Sequence, residues 1–233
     1  AKELMRLSNT AKKFPFSQSL IDQAQDYCNM LILDNQRQAF DILKSSGVKQ
    51  LIGGPGTGKT TMLKNFIYAY RKMFPKGKIL LCAPTGRAAQ KMAEATGHPA
   101  STIHKALDFR PYGTEFKTKD KEDPIDADFI IVDESSMVDE ATFLLLLRAI
   151  KNSTLLLLVG DKNQLQSVGC GSVLRDLIES GAIPTYHLHA VFRQAQNSPI
   201  ISNAQKILMM DTKLMLTDDF RVISCNLSLI HIS

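Results

Sequence analysis

The sequence predicts an α/β fold in which a doubly wound parallel sheet carries helices on both faces. Strand-like and helix-like segments alternate along most of the 233 residues, which is the order that parallel βαβ units produce. Strand-like runs such as Thr154 to Val159 are apolar at every position after the first, as expected for strands covered on both faces. A glycine-rich loop, Gly53 to Thr60, separates one such run from a following helix. Together these observations predict one open, parallel sheet.

The predicted elements follow from apolar runs and from turn and capping residues. Ser17 or Ser19 is a candidate cap for the first helix, Gly47 is expected to end the second, and Ser198-Pro199 begins the last. Residues 12–16 are expected to form a linker, and the polar residues 108–127 a surface insertion. The predicted helices cover residues 17–29, 35–45, 62–70, 83–96, 139–150, 172–180 and 199–210, with a short one opening at 102–104. The predicted strands cover residues 48–52, 78–82, 129–132, 154–159 and 186–190.

Composition narrows the class of protein without deciding its function. Hydrophobic residues make up 44% of the chain, which is enough for a sizeable core. The net charge of +5 is compatible with a nucleic-acid partner but does not establish one. The four cysteines form no C-x-x-C pair and, with no secretory signal peptide, indicate reduced thiols in a cytoplasmic protein. The longest apolar runs are too short to span a bilayer, so no membrane partner is expected.

The glycine-rich loop matches G-x-x-x-x-G-K-[ST], the phosphate-binding loop of nucleoside triphosphatases. Its glycines allow the backbone to turn tightly, and the helix behind it adds a partial positive charge. We expect Lys59 to reach the β- and γ-phosphates of ATP and Thr60 to hold Mg²⁺. A glycine-rich loop with a chance lysine is the alternative, and the strand before the loop and the helix after it argue against that. The motif consists of Gly53, Gly54, Pro55, Gly56, Thr57, Gly58, Lys59 and Thr60.

A second acidic motif follows the apolar run Phe129 to Val132. Asp133 is expected at the tip of that strand, where it would hold Mg²⁺, and Glu134 is placed to orient and deprotonate the attacking water. Gln164 follows a later strand and is either a γ-phosphate sensor or an ordinary loop amide. Arg193 follows the last predicted strand and could stabilise the transferring phosphoryl group in cis.

Gln36 lies one helix upstream of the phosphate loop. A glutamine there can bond adenine with both its oxygen and its nitrogen, although the residues alone favour a plain surface glutamine. His187 and His189 share one face of a short strand, and a metal site there is not favoured because no third ligand is nearby in the sequence.

The segment Ala83 to Ala89 joins a strand end to a helix, where open α/β sheets bind ligands. Thr85, Arg87 and the small residues around them suit the approach of a phosphodiester backbone, and a helix cap with a surface arginine is the equally simple alternative. Thr102 opens the next short helix. His104 either touches phosphate or base or has a structural role.

These motifs, taken in order, resemble the motif series of superfamily 1 helicases, and their amino-acid sequences are close to those of the RecD-like branch. The resemblance implies a RecA-like fold and an ATP-dependent DNA helicase that moves 5′ to 3′ on single-stranded DNA in recombination and repair, with recombination-complex subunits as candidate partners. It also implies that Gln36 reads adenine, that Thr61 belongs to the ATP-binding loop, and that Gln164 and Arg193 contact the γ-phosphate. The residues implied to lie along the DNA are Pro84, Thr85, Arg87, Thr102 and His104. The motifs are Gly53–Thr61, Ala83–Ala89, Thr102–His104, Asp133–Met137, Gly160–Leu165 and Phe192–Gln194.

The chain also departs from that family. Gln166 stands where the family often has proline after Asp-Gln-Leu. Such helicases place ATP between two motor domains, and we expect only the first here. The predicted organisation is an N-terminal helical and linker segment (1–30), a first motor domain (31–212), the start of a truncated second domain (213–226) and a tail (227–233). That tail resembles translated sequencing adapter, with a genuine β-prone strand as the alternative. The chain starts at Ala1, so residues upstream are expected to be missing.

Two other functions are compatible with the same motifs. One is the ATPase motor of a conjugative relaxase or a loader, which an upstream relaxase domain would indicate. The other is a non-catalytic module that binds nucleotide and single-stranded DNA without turnover.

Overall fold

The computed structural model describes residues 1–112, 115–189, 199–211, 213–217 and 221. The chain divides into two compact units, residues 1–190 and 191–233. The first unit holds the sheet and almost every motif described above.

The first unit is built on a parallel sheet of six strands in the order β3-β2-β6-β7-β1-β8, which confirms the predicted doubly wound fold. Leu51 pairs with Val159 and Ile52 with Gly160, so β1 and β7 end at the same level. The carboxyl ends of the strands therefore share one edge. The sheet strands are β1 (Gly47–Gly53), β2 (Ile79–Ala83), β3 (Ala100–Thr102), β6 (Phe129–Val132), β7 (Leu155–Gly160) and β8 (Thr185–Leu188).

Helices cover both faces of this sheet. Phe40–Lys44 and Ser135–Met137 are short 3-10 helices. The α-helices of the first unit are α1 (Lys2–Asn9), α2 (Ser19–Cys28), α3 (Asp34–Ala39), α4 (Lys59–Met73), α5 (Gly86–Thr96), α6 (Ile103–Ala106), α7 (Glu140–Ala149) and α8 (Val173–Ser180).

Alternate side chains of the central strands enter two separate cores. Phe129 and Ile131 of β6 pack with α2, α3 and α4, whereas Ile130 and Val132 pack with α1, α6, α7 and α8. All four side chains are fully buried. Because both faces of the strand are covered, the sequence is apolar throughout rather than alternating.

Several local predictions are corrected by the structure. The helix predicted over 35–45 is α3 followed by a 3-10 turn, and Gly47 is the first residue of β1, with φ 95°. Residues 12–16, expected to form a linker, pack against the first unit. Lys13 forms an isolated β-bridge with Ser45, and the Phe14 ring contacts the Phe74 ring edge-on, with centroids 5.1 Å apart.

The insertion predicted over 108–127 contains an antiparallel hairpin of β4 (Arg110–Tyr112) and β5 (Glu115–Lys117). Its final part is less exposed than its polar composition indicates, since Ile125 and Ala127 are buried in the second core. The hairpin follows α6 directly.

The second unit contains α9 (Pro199–Leu208). The buried Asn203 side chain donates to the carbonyl of Met215 and accepts from its N–H, both at 2.7 Å, so it fixes the following segment to the helix. Over the described ranges of the chain, no helix combines the length and apolarity needed to cross a bilayer.

Candidate nucleotide-binding site

The candidate residues lie at the carboxyl edge of the sheet, in two groups set by strand order. Strands β1 and β7 bring the phosphate loop and the segment after Gly160 to one side. Strands β2 and β3 bring Ala83 and Thr102, which pair in register, to the other. Strand β6 lies between them and ends beside Asp133.

The phosphate loop is held in a tight curve by its own residues. Gly56 and Gly58 have φ of 74° and 86°, the left-handed region that favours glycine. The Thr57 hydroxyl donates to the Gly54 carbonyl at 2.9 Å, and the Lys59 ammonium donates to the carbonyls of Gly53 and Gly54 at 2.6 and 3.0 Å. The Cβ of a side chain at Gly53 would collide with the Thr57 Oγ1, so any larger residue there would force Thr57 to move.

The N-terminus of α4 is left available for an anion. Its cap residue, Gly58, provides no side-chain acceptor, and no acidic residue stands in the first turn. By contrast, Thr85, Thr102 and Asp139 cap α5, α6 and α7 with hydrogen bonds of 3.2, 3.1 and 2.8 Å. The first N–H groups of a helix need acceptors, and phosphate oxygens supply them. The loop therefore fits a nucleoside triphosphate.

Asp133 lies at the tip of β6, as predicted. One of its carboxylate oxygens accepts from the Glu134 N–H at 2.9 Å. Burial raises the pKa of Asp133, against smaller opposing effects of that hydrogen bond and of the Lys59 charge. Asp133 and Thr60 offer only oxygen donors, which are the ligands that Mg²⁺ prefers, so these residues fit that ion.

Glu134 is held in an uncommon backbone conformation. Its φ is 52°, in the left-handed region, and it begins the 3-10 helix that follows β6. Burial, and then the charge of Asp133, raise its pKa. Its side chain lines a cavity of about 500 Å³ together with Gln164, Thr85 and Arg87. A candidate base, a candidate phosphate sensor and two candidate DNA residues thus share one cavity.

Asp161 is a site residue that the sequence interpretation missed. It is buried, one carboxylate oxygen accepts from the Asn163 N–H at 2.9 Å, and its carbonyl accepts from the Gln164 N–H at 3.2 Å. Its other oxygen lies 4.0 Å from the place a Cβ on Gly54 would occupy. Asp161 therefore holds the Gln164 loop by hydrogen bonds and lies beside Gly54 of the phosphate loop. An acid directly after a buried strand, at the same edge as Asp133, was the available signal.

Gln36 is completely buried, so its interpretation as a plain surface glutamine is wrong. Its oxygen accepts from the Leu33 N–H at 3.1 Å, and its nitrogen donates to the Thr57 carbonyl at 3.3 Å. The side chain thus joins the start of α3 to the phosphate loop. Its contact with adenine remains a prediction.

The residues implied to lie along DNA are brought together at the ends of β2 and β3. Arg87 and His104 are exposed, Pro84 and Thr102 are half-buried, and Thr85 is exposed while capping α5. The His104 ring contacts Phe109 edge-on at 5.6 Å. The helix-cap alternative for Thr85 is therefore correct, but a cap at an exposed helix start does not prevent a nucleic-acid contact.

Three further expectations from the sequence concern Arg193, Gln166 and the pair His187 and His189. Arg193 lies outside the described residues. Gln166, in the place of the family's proline, accepts from the Arg175 guanidinium at 2.7 and 3.1 Å once its amide is oriented with the oxygen toward that side chain. The rings of His187 and His189 stack at 5.8 Å, and within the described ranges no group of three or more His, Cys, Asp or Glu side chains could hold a metal.

A phosphate loop between β1 and α4, with acids at the tip of β6, the next parallel strand but one, defines a P-loop nucleoside triphosphatase. The family model described as AAA domain matches residues 36–170, more than half of the chain, and the chain belongs to this family. The resemblance to RecD-like helicases is confirmed by similar curated proteins. An ATP-dependent RecD2 DNA helicase from Deinococcus radiodurans is 40% identical over 175 residues, which are 75% of this chain and 24% of that protein.

A RecBCD enzyme subunit RecD from Mycobacterium tuberculosis is 36% identical over 171 residues, covering 64% of this chain and 29% of that one. The chain thus spans roughly a quarter of the length of these relatives.

Solved Pif1 helicases share the fold. The Candida albicans enzyme superposes with a TM-score of 0.56 at 22% identity, covering 76% of this chain and 44% of that one. Bacteroides Pif1 bound to single-stranded DNA superposes with a TM-score of 0.53 at 18% identity, covering 84% and 52%. These structures support the parallel sheet and its helices as the shared architecture.

Proposed function

We propose that the chain is the nucleotide-binding half of a RecD-like, ATP-dependent DNA helicase that acts 5′ to 3′ on single-stranded DNA. The observation that carries this proposal is the uncapped start of α4 beside Lys59, facing the carboxylates at the end of β6. The Deinococcus relative, named an ATP-dependent DNA helicase, supports the same activity. We further propose a cytoplasmic location and a role in recombination, since the Mycobacterium relative is a subunit of RecBCD.

In the proposed reaction, Glu134 accepts the proton of the water that attacks the γ-phosphate. Burial and the charge of Asp133 raise its pKa, which makes its carboxylate a stronger base than that of an ordinary glutamate. Lys59 and Arg193 neutralise charge that develops on the phosphoryl group, and Gln164 senses the γ-phosphate. Thr60 and Asp133 would hold Mg²⁺, which would supply positive charge to neutralise the phosphates.

The proposed DNA path runs over the ends of β2 and β3, along Pro84, Thr85, Arg87, Thr102 and His104. Its support is the cavity that Thr85 and Arg87 share with Glu134 and Gln164. A strand held there lies next to the groups that respond to ATP. Hydrolysis and DNA movement would be coupled through this cavity.

Nucleotide binding is tested with Lys59→Ala and a fluorescent ATP analogue titrated into the full chain. Loss of a charge-assisted contact should weaken binding by about tenfold or more. Lys151→Ala is the matched control, since Lys151 is a surface cation that pairs with Asp126. Equal affinity of Lys59→Ala and wild type would refute the nucleotide site.

The DNA path is tested with Arg87→Ala and a labelled single strand, measured across a salt titration. Loss of one phosphate contact should weaken binding and lower the slope of log affinity against log salt by about 0.7. Arg148→Ala, an exposed arginine on α7, serves as the control. An unchanged slope for Arg87→Ala removes this residue from the path.

A further inference from the structure

A second groove lies where α2, α4 and α5 meet, and none of its lining residues belongs to the phosphate loop. It has a volume of about 880 Å³ and is formed by the C-terminal ends of α2 and α5 and by α4 from Lys64 onward. Because α4 and α5 begin at the carboxyl edge of the sheet, their C-terminal ends lie toward the opposite edge. Its cations and aromatic rings are Lys64, Arg71, Lys72, Tyr27 and Tyr68.

The groove carries positive charge that the protein does not neutralise. Lys64, Arg71 and Lys72 are exposed, and none forms an ion pair with a carboxylate anywhere in the described ranges, whereas several other surface lysines do. Glu94 is the single carboxylate among the described lining residues, and it accepts a hydrogen bond from Gln90. The groove therefore attracts an anionic partner.

An aromatic platform lies among these cations. The rings of Tyr27 and Tyr68 stack with centroids 4.3 Å apart and an interplanar angle of 21°. The Lys72 ammonium lies 5.4 Å from the centroid of Tyr68. Tyr27 is 72% exposed, so the face of its ring away from Tyr68 is open to solvent. The stacking partner fixes the orientation of Tyr27, which lowers the entropy cost of placing a base against it.

The cations and the aromatic ring lie on one side of α4. Lys64, Tyr68 and Lys72 are spaced by four residues, which places their side chains on the same helix face. Alternating positive charge and aromatic faces is the arrangement by which proteins hold single-stranded nucleic acids, with phosphates at the cations and bases on the rings. An acidic protein segment would need the charge but not an open tyrosine face.

We propose that this groove is a second binding site for single-stranded nucleic acid, separate from the path over β2 and β3. A base stacks on the open face of Tyr27, and neighbouring phosphates contact Lys64, Arg71 and Lys72. The site extends the proposed DNA-binding function and does not require ATP hydrolysis.

Helix α5 offers a route between the two sites. Arg87 and Lys91 line the cavity at its start, and Ala95, one turn further, lines the groove at its end. These positions are spaced by four residues and so follow one face. The 11 residues of α5 cover about 16 Å, a distance that a few nucleotides of one strand can span.

The proposal is tested by fluorescence anisotropy of a labelled 20-nucleotide oligo(dT) titrated into the full chain. Tyr27→Ala should weaken binding at least about fivefold, because one stacked base is lost. Tyr27→Phe keeps the ring and should bind like wild type. Changing Lys64, Arg71 and Lys72 together to Gln should lower the salt slope by about 2, from three lost phosphate contacts.

The control variant changes Lys44, Lys119 and Lys151 to Gln, three cations that already pair with carboxylates, and should leave the salt slope unchanged. Wild-type affinity of Tyr27→Ala would overturn the proposal. The proposal would also be overturned if polyglutamate displaced the labelled oligonucleotide as effectively as unlabelled oligo(dT) does. That result would assign the groove to an acidic protein segment. Arg87→Ala separates the two sites: if it alone has no effect, the path over β2 and β3 fails while the groove stands.

Discussion

Gln36 connects the start of α3 to the phosphate loop, and replacing it with Met tests that connection. Met has a similar volume, so Gln36→Met removes two hydrogen bonds, of 3.1 and 3.3 Å, without leaving a large cavity. Each bond contributes about 1 kcal/mol, and leaving the buried Thr57 carbonyl without its donor adds a desolvation cost of about 1–3 kcal/mol. We expect a loss of about 3–5 kcal/mol in the free energy of unfolding, which corresponds to a Tm lower by about 6–20 °C for a domain of this size.

Thermal unfolding followed by circular dichroism measures this effect directly. Gln38→Met is the matched control, because Gln38 lies on the same helix and is exposed, and it should change the Tm little. Affinity for a fluorescent ATP analogue should also fall in Gln36→Met, since the loop loses a support. If both variants unfold at the same temperature, the proposed connection between α3 and the loop is refuted.

Three other predictions concern the strand tips. Glu134→Gln should retain nucleotide affinity but slow phosphate release by about 10²–10⁴-fold, and a normal rate in this variant would exclude Glu134 as the base. Because the pKa of Glu134 is raised, the wild-type rate should begin to fall on acidification at a pH above the ordinary pKa range of a glutamate. Asp133→Asn should raise the Tm at pH 7, and a lower Tm there would contradict this. The pKa of Asp133 is higher in the folded than in the unfolded state, so its negative charge lowers stability once the pH rises above the unfolded-state pKa. The increase in Tm should therefore become smaller on acidification. Gly160→Ala should lower the free energy of unfolding by about 1–3 kcal/mol, because its Cβ would lie 2.8 Å from Leu174 Cδ2. Gly86→Ala is the control, since its Cβ meets nothing within 4 Å, and equal urea midpoints for the two variants would show that the neighbours of Gly160 adjust freely.

The fold and the catalytic motifs were predictable because each is encoded locally. The phosphate loop needs glycines where φ is positive, and those glycines, with Lys59 and Thr60, are visible in eight consecutive residues. The strand before Asp133 is apolar at every position because both faces are covered. Such signals require no knowledge of distant contacts.

Burial of polar residues was not predictable, because it depends on what packs around them. Gln36 has no neighbour in sequence that indicates its full burial, which comes from the phosphate loop 21 residues away. Asp161 became part of the site only when the strand order placed β7 beside β1. The hairpin of residues 110–117 consists of two strands of three residues each, too short to show an alternating pattern.

Helix α4 begins at Lys59 in the phosphate loop and carries Tyr68 and Lys72 near its other end. Its 15 residues form a rod of about 22 Å, and a rod transmits rotation and translation from one end to the other. If ATP shifts the helix between two positions, the groove is reshaped at the same time. ATP would then change the affinity of the groove for a bound strand by some factor. Thermodynamic linkage requires that the strand change the affinity for ATP by the same factor.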